Sequence, residues 1–253
     1  MLSVTIFGCI MPTNTSPLPD WEKVLSSAAR LQHLLPDAVL VGGTAAAIHA
    51  THRLSRDAVH DLTDLRGRFD DVLAQLESVA GWKTARVRRP VLILGSLDRI
   101  ETGIRELIRD EPLETTKLNY HGEEITVPTE GEILRIKGVL ILKRNATRDY
   151  LDFVALATHL GDAKTACALA GMDRLYPQSN GESALQQLQA QLASAAPYDL
   201  AETKLSDYKN LDERWHDWRT VNSVCARLAV IIFDLVCEAS PRPIVYGSSL
   251  DFP

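Results

Sequence analysis

The feature that most constrains the fold is a short apolar run that ends in two glycines and leads directly into an alanine-rich stretch. Ala38–Val41 predicts a buried strand, Gly42-Gly43 a tight turn, and Ala45–Thr51 a helix that Thr44 opens. Glycines at such a turn let the backbone approach an anion closely, and the free N–H groups of a helix N-terminus attract it. The same turn is common where nothing binds, so alone it indicates only a strand–turn–helix unit.

The pattern along the chain changes at Pro128, from alternating strands and helices to an almost continuous run of helices. This change predicts an α+β fold, in which a mixed sheet flanked by helices is followed by an all-helical C-terminal domain. The expected domains are residues 17–127 and 128–253. The other predicted helices are Trp21–Leu35, Asp64–Leu76, Thr129–Lys143, Thr147–Leu160, Asp162–Ala170, Glu182–Ala193 and Leu211–Val236; the other strands are Arg53–Asp61, Val91–Leu94 and Ile100–Ile108, with a hairpin over Leu113–Val127 that turns at His121-Gly122.

Composition narrows the class of protein. A net charge of −6 over 253 residues argues against a protein that coats nucleic acid nonspecifically, although it leaves room for a local basic groove. The four cysteines form no Cys-x-x-Cys pair, which favours reduced thiols. The apolar first ten residues and the run Leu228–Val236 are each too short to span a bilayer. We therefore expect a soluble cytoplasmic protein without a membrane segment.

A second polar motif follows the glycine turn. Ser55-Arg56-Asp57 lies twelve residues after Gly43, and on a strand Ser55, Asp57 and Val59 would share one face. A carboxylate opposite a glycine-rich turn can hold Mg²⁺, which bridges triphosphate oxygens and activates an attacking hydroxyl. An exposed polar strand with an ordinary serine and aspartate is the alternative.

The segment VLVGGTAAAIHATHRLSRD resembles the AbiEii family of toxin nucleotidyltransferases, in which a hydrophobic strand and a Gly-Gly-Thr or Gly-Ser turn lead to catalytic acids. The family includes the mycobacterial MenT toxins and has a core of the DNA polymerase β type. The resemblance implies a nucleotidyltransferase-type sheet, with Gly42, Gly43 and Thr44 at the triphosphate. It also implies that Ser55 lines the site and that Asp57 is the first metal ligand.

A second stretch, ILRIKGVLILKRNATRDYLDFVAL, resembles the later helical motif of the same family, a lysine followed on the next helix by Arg-Asp-x-x-Asp. The resemblance assigns Lys137 to the triphosphate and Arg148 to the nucleotide, and it implies that Asp149 or Asp152 orients the acceptor or positions Lys137. From the residues alone, Asp149 and Asp152 lie on one helical face and equally fit a salt-bridged helix start.

The chain departs from the family at the second metal carboxylate, because Val59 stands where Asp-x-Asp requires an aspartate. Asp61 lies on the same strand face but about 13 Å from Asp57, too far to share one ion unless the strand bends. Glu101, on a predicted neighbouring strand, is the other candidate, with Asp98 behind it. Either Asp61 or Glu101 completes the site, or metal binding is weak.

Two functions follow from these residues. The first is transfer of a nucleotide from a nucleoside triphosphate to an RNA, with tRNA as one candidate acceptor, using Mg²⁺ in a toxin–antitoxin system with a cognate antitoxin as partner. The second is a catalytically inactive nucleotide- or protein-binding module.

A zinc site at His49, His52 and His60 is disfavoured because no cysteine lies near. The basic cluster Arg86, Arg88 and Arg89 could bind RNA phosphates or be merely solvated.

Overall fold

The structure is a computed structural model that describes residues 19–239; the apolar first ten residues and the C-terminal tail lie outside the described residues. The described strands are β1 (Val39–Leu40), β2 (Asp57–Leu62), β3 (Trp82–Arg88), β4 (Leu92–Leu97), β5 (Ile100–Glu106), β6 (Thr115–Tyr120) and β7 (Glu123–Pro128). The described α-helices are α1 (Pro19–Leu34), α2 (Gly42–Ala50), α3 (Phe69–Glu77), α4 (Glu130–Arg144), α5 (Thr147–Leu160), α6 (Asp162–Leu169), α7 (Met172–Leu175), α8 (Ala184–Ala193) and α9 (Trp218–Ala239).

Five strands form a mixed sheet in the order β1-β2-β5-β4-β3, in which β2 and β5 are parallel and the other neighbours antiparallel. Strands β6 and β7 form a separate hairpin that turns at His121-Gly122, as predicted. The mixed sheet flanked by helices and the helical C-terminal part confirm the α+β prediction.

The two faces of the sheet differ in character. On one face the apolar residues of β2, β4 and β5 pack against α1 and α3, for example Leu62, Ile93 and Ile104 against Leu31 and Phe69. Because successive strand residues point to opposite faces, the alternate positions of these strands lie on the other face. That second face bears Asp57 and forms the floor of the site described below.

Helix α2 connects the sheet to the helical part of the chain. Its residues Ala45, Ala46 and Ala50 belong to the same buried core as Leu151 and Phe153 of α5. Small alanine side chains suit a helix that is buried between two layers. The glycine turn at the start of α2 therefore lies where the sheet meets the helices. The proposed division into residues 17–127 and 128–253 stays a prediction.

Several predicted boundaries were wrong. Helix α3 begins at Phe69 and not at Asp64, because residues 64–67 form a turn closed by the Gly67 amide on the Asp64 carbonyl. The Asp64 carboxylate accepts from Arg68 instead of capping a helix. Helix α2 begins at Gly42, two residues before the predicted start. Strand β3 was not predicted, because its residues are mostly exposed and show no apolar alternation.

Helix α9 is long and apolar enough to cross a membrane by length and composition, over Trp218–Cys237. The sequence prediction that the chain has no segment long and apolar enough to span a membrane is therefore wrong by length and composition. Core helices of soluble proteins meet the same criterion. Val221, Cys225, Leu228 and Ile232, spaced three or four residues apart, are buried in the helical core, so one side of α9 packs within the protein.

Candidate nucleotide site

A pocket of about 570 Å³ lies between the polar face of the sheet and the helical part, and this volume is typical of a small-molecule site. Its cationic side chains outnumber its carboxylates by seven to two. Such a lining favours an anionic ligand. The lining consists of Gly42, Gly43, Arg53, Leu54, Ser55, Arg56, Asp57, Val59, Leu92, Leu94, Arg105, Lys137, Leu140, Arg144, Arg148, Asp207, Tyr208 and Lys209.

The Gly42-Gly43 turn borders the pocket at the N-terminus of α2. Gly42 adopts φ +76°, a left-handed conformation that favours glycine. At Gly43 a Cβ would lie 2.6 Å from Arg53 Nη2 and 3.0 Å from Ser55 Oγ, so a larger residue would displace the Arg53 guanidinium. The N-cap, Val41, offers no side-chain hydrogen bond to the first turn. The turn therefore leaves helix N-terminal amides beside a cationic pocket, an arrangement suited to a phosphate.

Asp57 is the carboxylate of β2 that borders this turn. The Ser55 hydroxyl donates to Asp57 Oδ1 at 2.7 Å, and the Thr44 hydroxyl donates to the Asp57 carbonyl oxygen. The Thr44 bond ties the start of β2 to the start of α2, and the Ser55 bond orients the Asp57 carboxylate. Thr44 is fully buried, so its hydroxyl contacts this carbonyl rather than the pocket.

The register of the sheet decides which other carboxylates lie beside Asp57. In the parallel pair of β2 and β5, Asp57 faces Glu101, Val59 faces Gly103 and Asp61 faces Arg105. Paired positions on neighbouring strands are about 4.8 Å apart and share a face. The structure therefore places Glu101 next to Asp57 through regular strand pairing, although Glu101 itself is exposed at the rim beyond the pocket lining.

Asp61 is separated from Asp57. Strand β2 runs without a register break against β5, and Asp61 lies about 13 Å along it from Asp57. The Asp61 carboxylate instead accepts from Arg105 Nε at 3.0 Å. Burial raises the pKa of Asp61, and the charge of Arg105 opposes that effect. We therefore leave Asp61 out of the proposed metal site.

The available oxygen donors fit one Mg²⁺ and not a two-metal centre. Within residues 19–239 there is no group of three or more His, Cys, Asp or Glu side chains that could hold a metal. Mg²⁺ commonly uses one or two carboxylates together with substrate phosphates and water. Asp57 with Glu101 meets that requirement, whereas Val59 offers no oxygen to a second ion.

Asp152, on α5, is the hub of a buried ion network behind the pocket. It is fully buried and accepts from His52 Nε2 at 2.8 Å and from Arg53 Nε and Nη2 at 2.8 and 3.1 Å. Lys137 Nζ lies 2.6 Å from Asp152 Oδ2, the oxygen that also accepts from Arg53 Nη2. Burial raises the pKa of Asp152, but Arg53, Lys137 and His52 outweigh it and hold that pKa well below the usual range.

Asp149 continues this network one helical turn away. It accepts two hydrogen bonds from Arg144, at 2.6 and 2.8 Å, and lies 3.5 Å from Lys137 Nζ. Neither Asp149 nor Asp152 lines the pocket, but both hold cations that do. Burial lowers the pKa of His52, which favours its neutral form. The network then contains three cations and two carboxylates and carries one net positive charge; its members are Arg53, Lys137, Arg144, Asp149 and Asp152.

The structure adds Tyr208, a pocket residue that lies outside both motifs and contacts Arg53 of the first motif. Arg53 places its guanidinium 5.8 Å from the centre of the Tyr208 ring, a cation–π distance. Backbone hydrogen bonds from Leu54 to Lys209 and from Asp212 to His52 hold this loop against the site. Tyr208 follows from no sequence signal, because it reaches the pocket through these distant contacts.

The other sequence candidates lie apart from the pocket. His49 contacts the Pro128 carbonyl oxygen, and His60 is buried on the opposite face of β2, where burial lowers its pKa to about 3. Arg86 and Arg88 are exposed on β3 and Arg89 just follows it; all three lie outside the pocket lining.

No family model matches the chain. It is 30% identical over 241 residues to the heme uptake protein MmpL11 of Mycobacterium tuberculosis, and 28% identical over 232 residues to the mycolic acid-containing lipids exporter MmpL11 of Mycolicibacterium smegmatis. These matches cover 86% and 89% of the chain. The chain spans only 23% of the length of either relative.

Solved structures show which fold the chain has. A candidate nucleotidyltransferase from Helicobacter pylori superimposes with a TM-score of 0.54 at 17% identity, covering 87% of this chain and 96% of that one. The protein JHP933 from Helicobacter pylori gives 0.51 at 16%, covering 86% and 93%. At these identities the likeness concerns the fold, and membership of the AbiEii family stays a proposal. The chain thus has the nucleotidyltransferase fold, with a cationic pocket at its glycine turn.

Proposed function

We propose that the protein is a nucleotidyltransferase that binds a nucleoside triphosphate in this pocket and transfers a nucleotide to an acceptor. The observation that carries the proposal is the convergence, in one cationic pocket, of the Gly42-Gly43 helix N-terminus and the Asp57 carboxylate. Sequence motifs far apart in the chain meet there, since Lys137 and Arg148 of the helical part also line it.

The proposed roles follow from position. The amides after Gly42-Gly43 and the cations of the pocket bind the triphosphate, and Asp152 and Asp149 hold the Nζ of the buried Lys137. Asp57 and Glu101 would hold a Mg²⁺ ion, which would neutralise phosphate charge. The acceptor hydroxyl attacks the α-phosphorus in line and its proton passes to water, while the bond from the α-phosphorus to the α–β bridging oxygen breaks and pyrophosphate leaves. Positioning and charge neutralisation supply the catalysis.

The acceptor and the cellular setting are proposed from the AbiEii resemblance. An RNA acceptor, tRNA among the candidates, fits the cationic lining, because a polyanion is attracted to it. A toxin–antitoxin role with a cognate antitoxin and a cytoplasmic location belongs to the same proposal. Growth arrest on expression, relieved by an Asp57→Ala change, tests the toxin role separately.

A second function is favoured by Val59 and by the curated relatives. Val59 stands where the Asp-x-Asp pair has its second aspartate, and the matching segment in MmpL11 is part of a much longer protein described as a heme uptake protein in one species and a lipids exporter in another. The alternative is therefore a nucleotide-binding module without transfer activity that acts with a larger protein.

One experiment separates the two functions. The protein is incubated with each of the four α-labelled nucleoside triphosphates, Mg²⁺ and total RNA, and equilibrium binding of each nucleotide is measured in parallel. Transfer that is lost in Asp57→Ala supports the enzyme. Binding without transfer supports the module. Absence of nucleotide binding contradicts both.

A further inference from the structure

The polar face of the sheet has three rows across β2, β5 and β4. The first row contains Asp57 and Glu101, the second Val59, Gly103 and Leu94, and the third Asp61, Arg105 and Leu92. The second row has no polar side chain. Arg105 therefore lies across an apolar strip from Asp57, about 13 Å along the strands.

The Arg105 guanidinium is hydrogen-bonded to Asp61 at one nitrogen. Its Nε donates to Asp61 Oδ1 at 3.0 Å, and the Asp61 side chain is only 10% exposed. The terminal Nη1 and Nη2 make no hydrogen bond to any residue between 19 and 239, while the Arg105 side chain is 33% exposed and lines the pocket. A guanidinium held at one nitrogen can still present its terminal N–H groups to two phosphate oxygens.

The surroundings favour an anion at this position. Leu92 and Leu94 form the adjacent floor, and an apolar environment strengthens a charge-assisted hydrogen bond. Arg148 and Arg56 line the same pocket and add positive charge beyond that of the Asp61–Arg105 pair. The Val41 amide donates to the Val59 carbonyl oxygen, so the glycine turn lies beside the Asp57 half of β2, whereas Arg105 pairs with Asp61 farther along the strand.

We propose that Arg105, positioned by Asp61, forms a second phosphate-binding subsite at the end of the pocket opposite the glycine turn. The subsite binds a phosphate group without a metal ion, either a phosphate of the nucleotide or a phosphate carried by the acceptor. This proposal rests on the proposed function, because it assumes that the pocket binds a nucleotide.

The test measures binding by calorimetry in EDTA at fixed ionic strength. The probes are ATP, a 5′-phosphorylated RNA dinucleotide and the same dinucleotide without its phosphate. The variant is Arg105→Met, and the matched control is Arg174→Met, which removes an exposed arginine paired with Glu111 outside the pocket. We expect wild type and Arg174→Met to bind alike.

In Arg105→Met, affinity for at least one phosphate-bearing probe should fall roughly 10- to 100-fold, the effect of one hydrogen bond to a charged group. A loss of affinity for ATP alone would show that Arg105 binds a phosphate of the nucleotide. A loss of affinity for the phosphorylated dinucleotide alone would show that Arg105 binds a phosphate of the acceptor. Unchanged affinity for both probes overturns the subsite. Wild type that binds none of the four nucleoside triphosphates, even with Mg²⁺, overturns the proposed function itself.

Variants of Asp61 test its positioning role without removing Arg105. Asp61→Asn keeps an oxygen that accepts from Nε, and Asp61→Ala does not. We expect the alanine variant to lose most of the phosphate-dependent affinity and the asparagine variant to retain it, with thermal denaturation confirming that both fold. Equal affinity in the two variants overturns the role of Asp61. Arg105→Lys, which keeps the charge but not the planar fork, should bind at an intermediate level.

Discussion

Replacing Asp152 with asparagine removes one buried negative charge and almost no volume. The carboxylate is fully buried and serves Arg53, Lys137 and His52. The variant therefore removes the charge that pairs with both Arg53 and Lys137; Asp149 remains near Lys137, and Asp57 remains as a negative charge that acts on Arg53. The perturbation is electrostatic and acts directly on cations that line the pocket.

Breaking a buried ion pair from one side costs about 3–5 kcal/mol, because the remaining charge stays buried. For a protein of this size each kcal/mol shifts Tm by roughly 2–4 °C, so the expected decrease in Tm is about 6–20 °C.

The folded-state pKa of Asp152 lies well below the usual range. The contribution of Asp152 to the stability of the fold is therefore complete above the unfolded pKa of about 3.9 and is lost progressively as pH falls below that value.

Thermal and urea denaturation from pH 8 down to pH 3 measure this effect. The free energy of unfolding should differ between wild type and Asp152→Asn by a constant amount from pH 8 to 5, and the difference should narrow below pH 4. Asp64→Asn, at an exposed pair with Arg68, is the matched control and should change stability by less than about 1 kcal/mol. A decrease of less than about 1 kcal/mol in the free energy of unfolding of Asp152→Asn would refute the conclusion that Asp152 is the hub of the buried ion network.

Three further predictions concern single residues. Gly43→Ala should lower nucleoside triphosphate affinity roughly 10-fold in a binding assay, because its Cβ would displace Arg53 from its charge-assisted bond to Asp152; unchanged affinity would contradict this. Val59→Asp should lower the Mg²⁺ concentration needed for transfer roughly 10-fold by placing a second carboxylate about 6.6 Å from the first along the strand, whereas Val59→Asn should not. His60 has a folded-state pKa of about 3, so the unfolded state binds more protons below pH 6.5 and stability decreases as pH falls. Wild type should lose about 2 kcal/mol more than His60→Asn between pH 7 and 5 in urea titrations; parallel pH curves would exclude His60 as the cause.

The local elements of the fold were predictable because their signals are local. The apolar run before Gly42 indicated β1, and Thr129 caps α4 by accepting from the Glu132 amide, as its position at the start of a helical pattern indicates. The His121-Gly122 turn was read from the residue types alone. Strand β3 gave no such signal because its side chains are mostly exposed.

The site was only partly predictable, because long-range pairing decides it. The sequence indicated Asp57 and the two candidates Asp61 and Glu101, but the parallel register of β2 and β5 alone determines which of them lies beside Asp57. The spacing of Asp149 and Asp152 showed that they share a helix face. It did not show that Asp152 would be buried against Arg53, ninety-nine residues away.

The most direct measurement is the structure of the protein crystallised with Mn²⁺ in place of Mg²⁺ and a non-hydrolysable nucleoside triphosphate. Anomalous scattering should locate one Mn²⁺ about 2.1 Å from carboxylate oxygens of Asp57 and Glu101, with the triphosphate against the Gly42-Gly43 turn. A nucleotide bound outside this pocket, or an ion held without Asp57, would contradict the proposed nucleotide site.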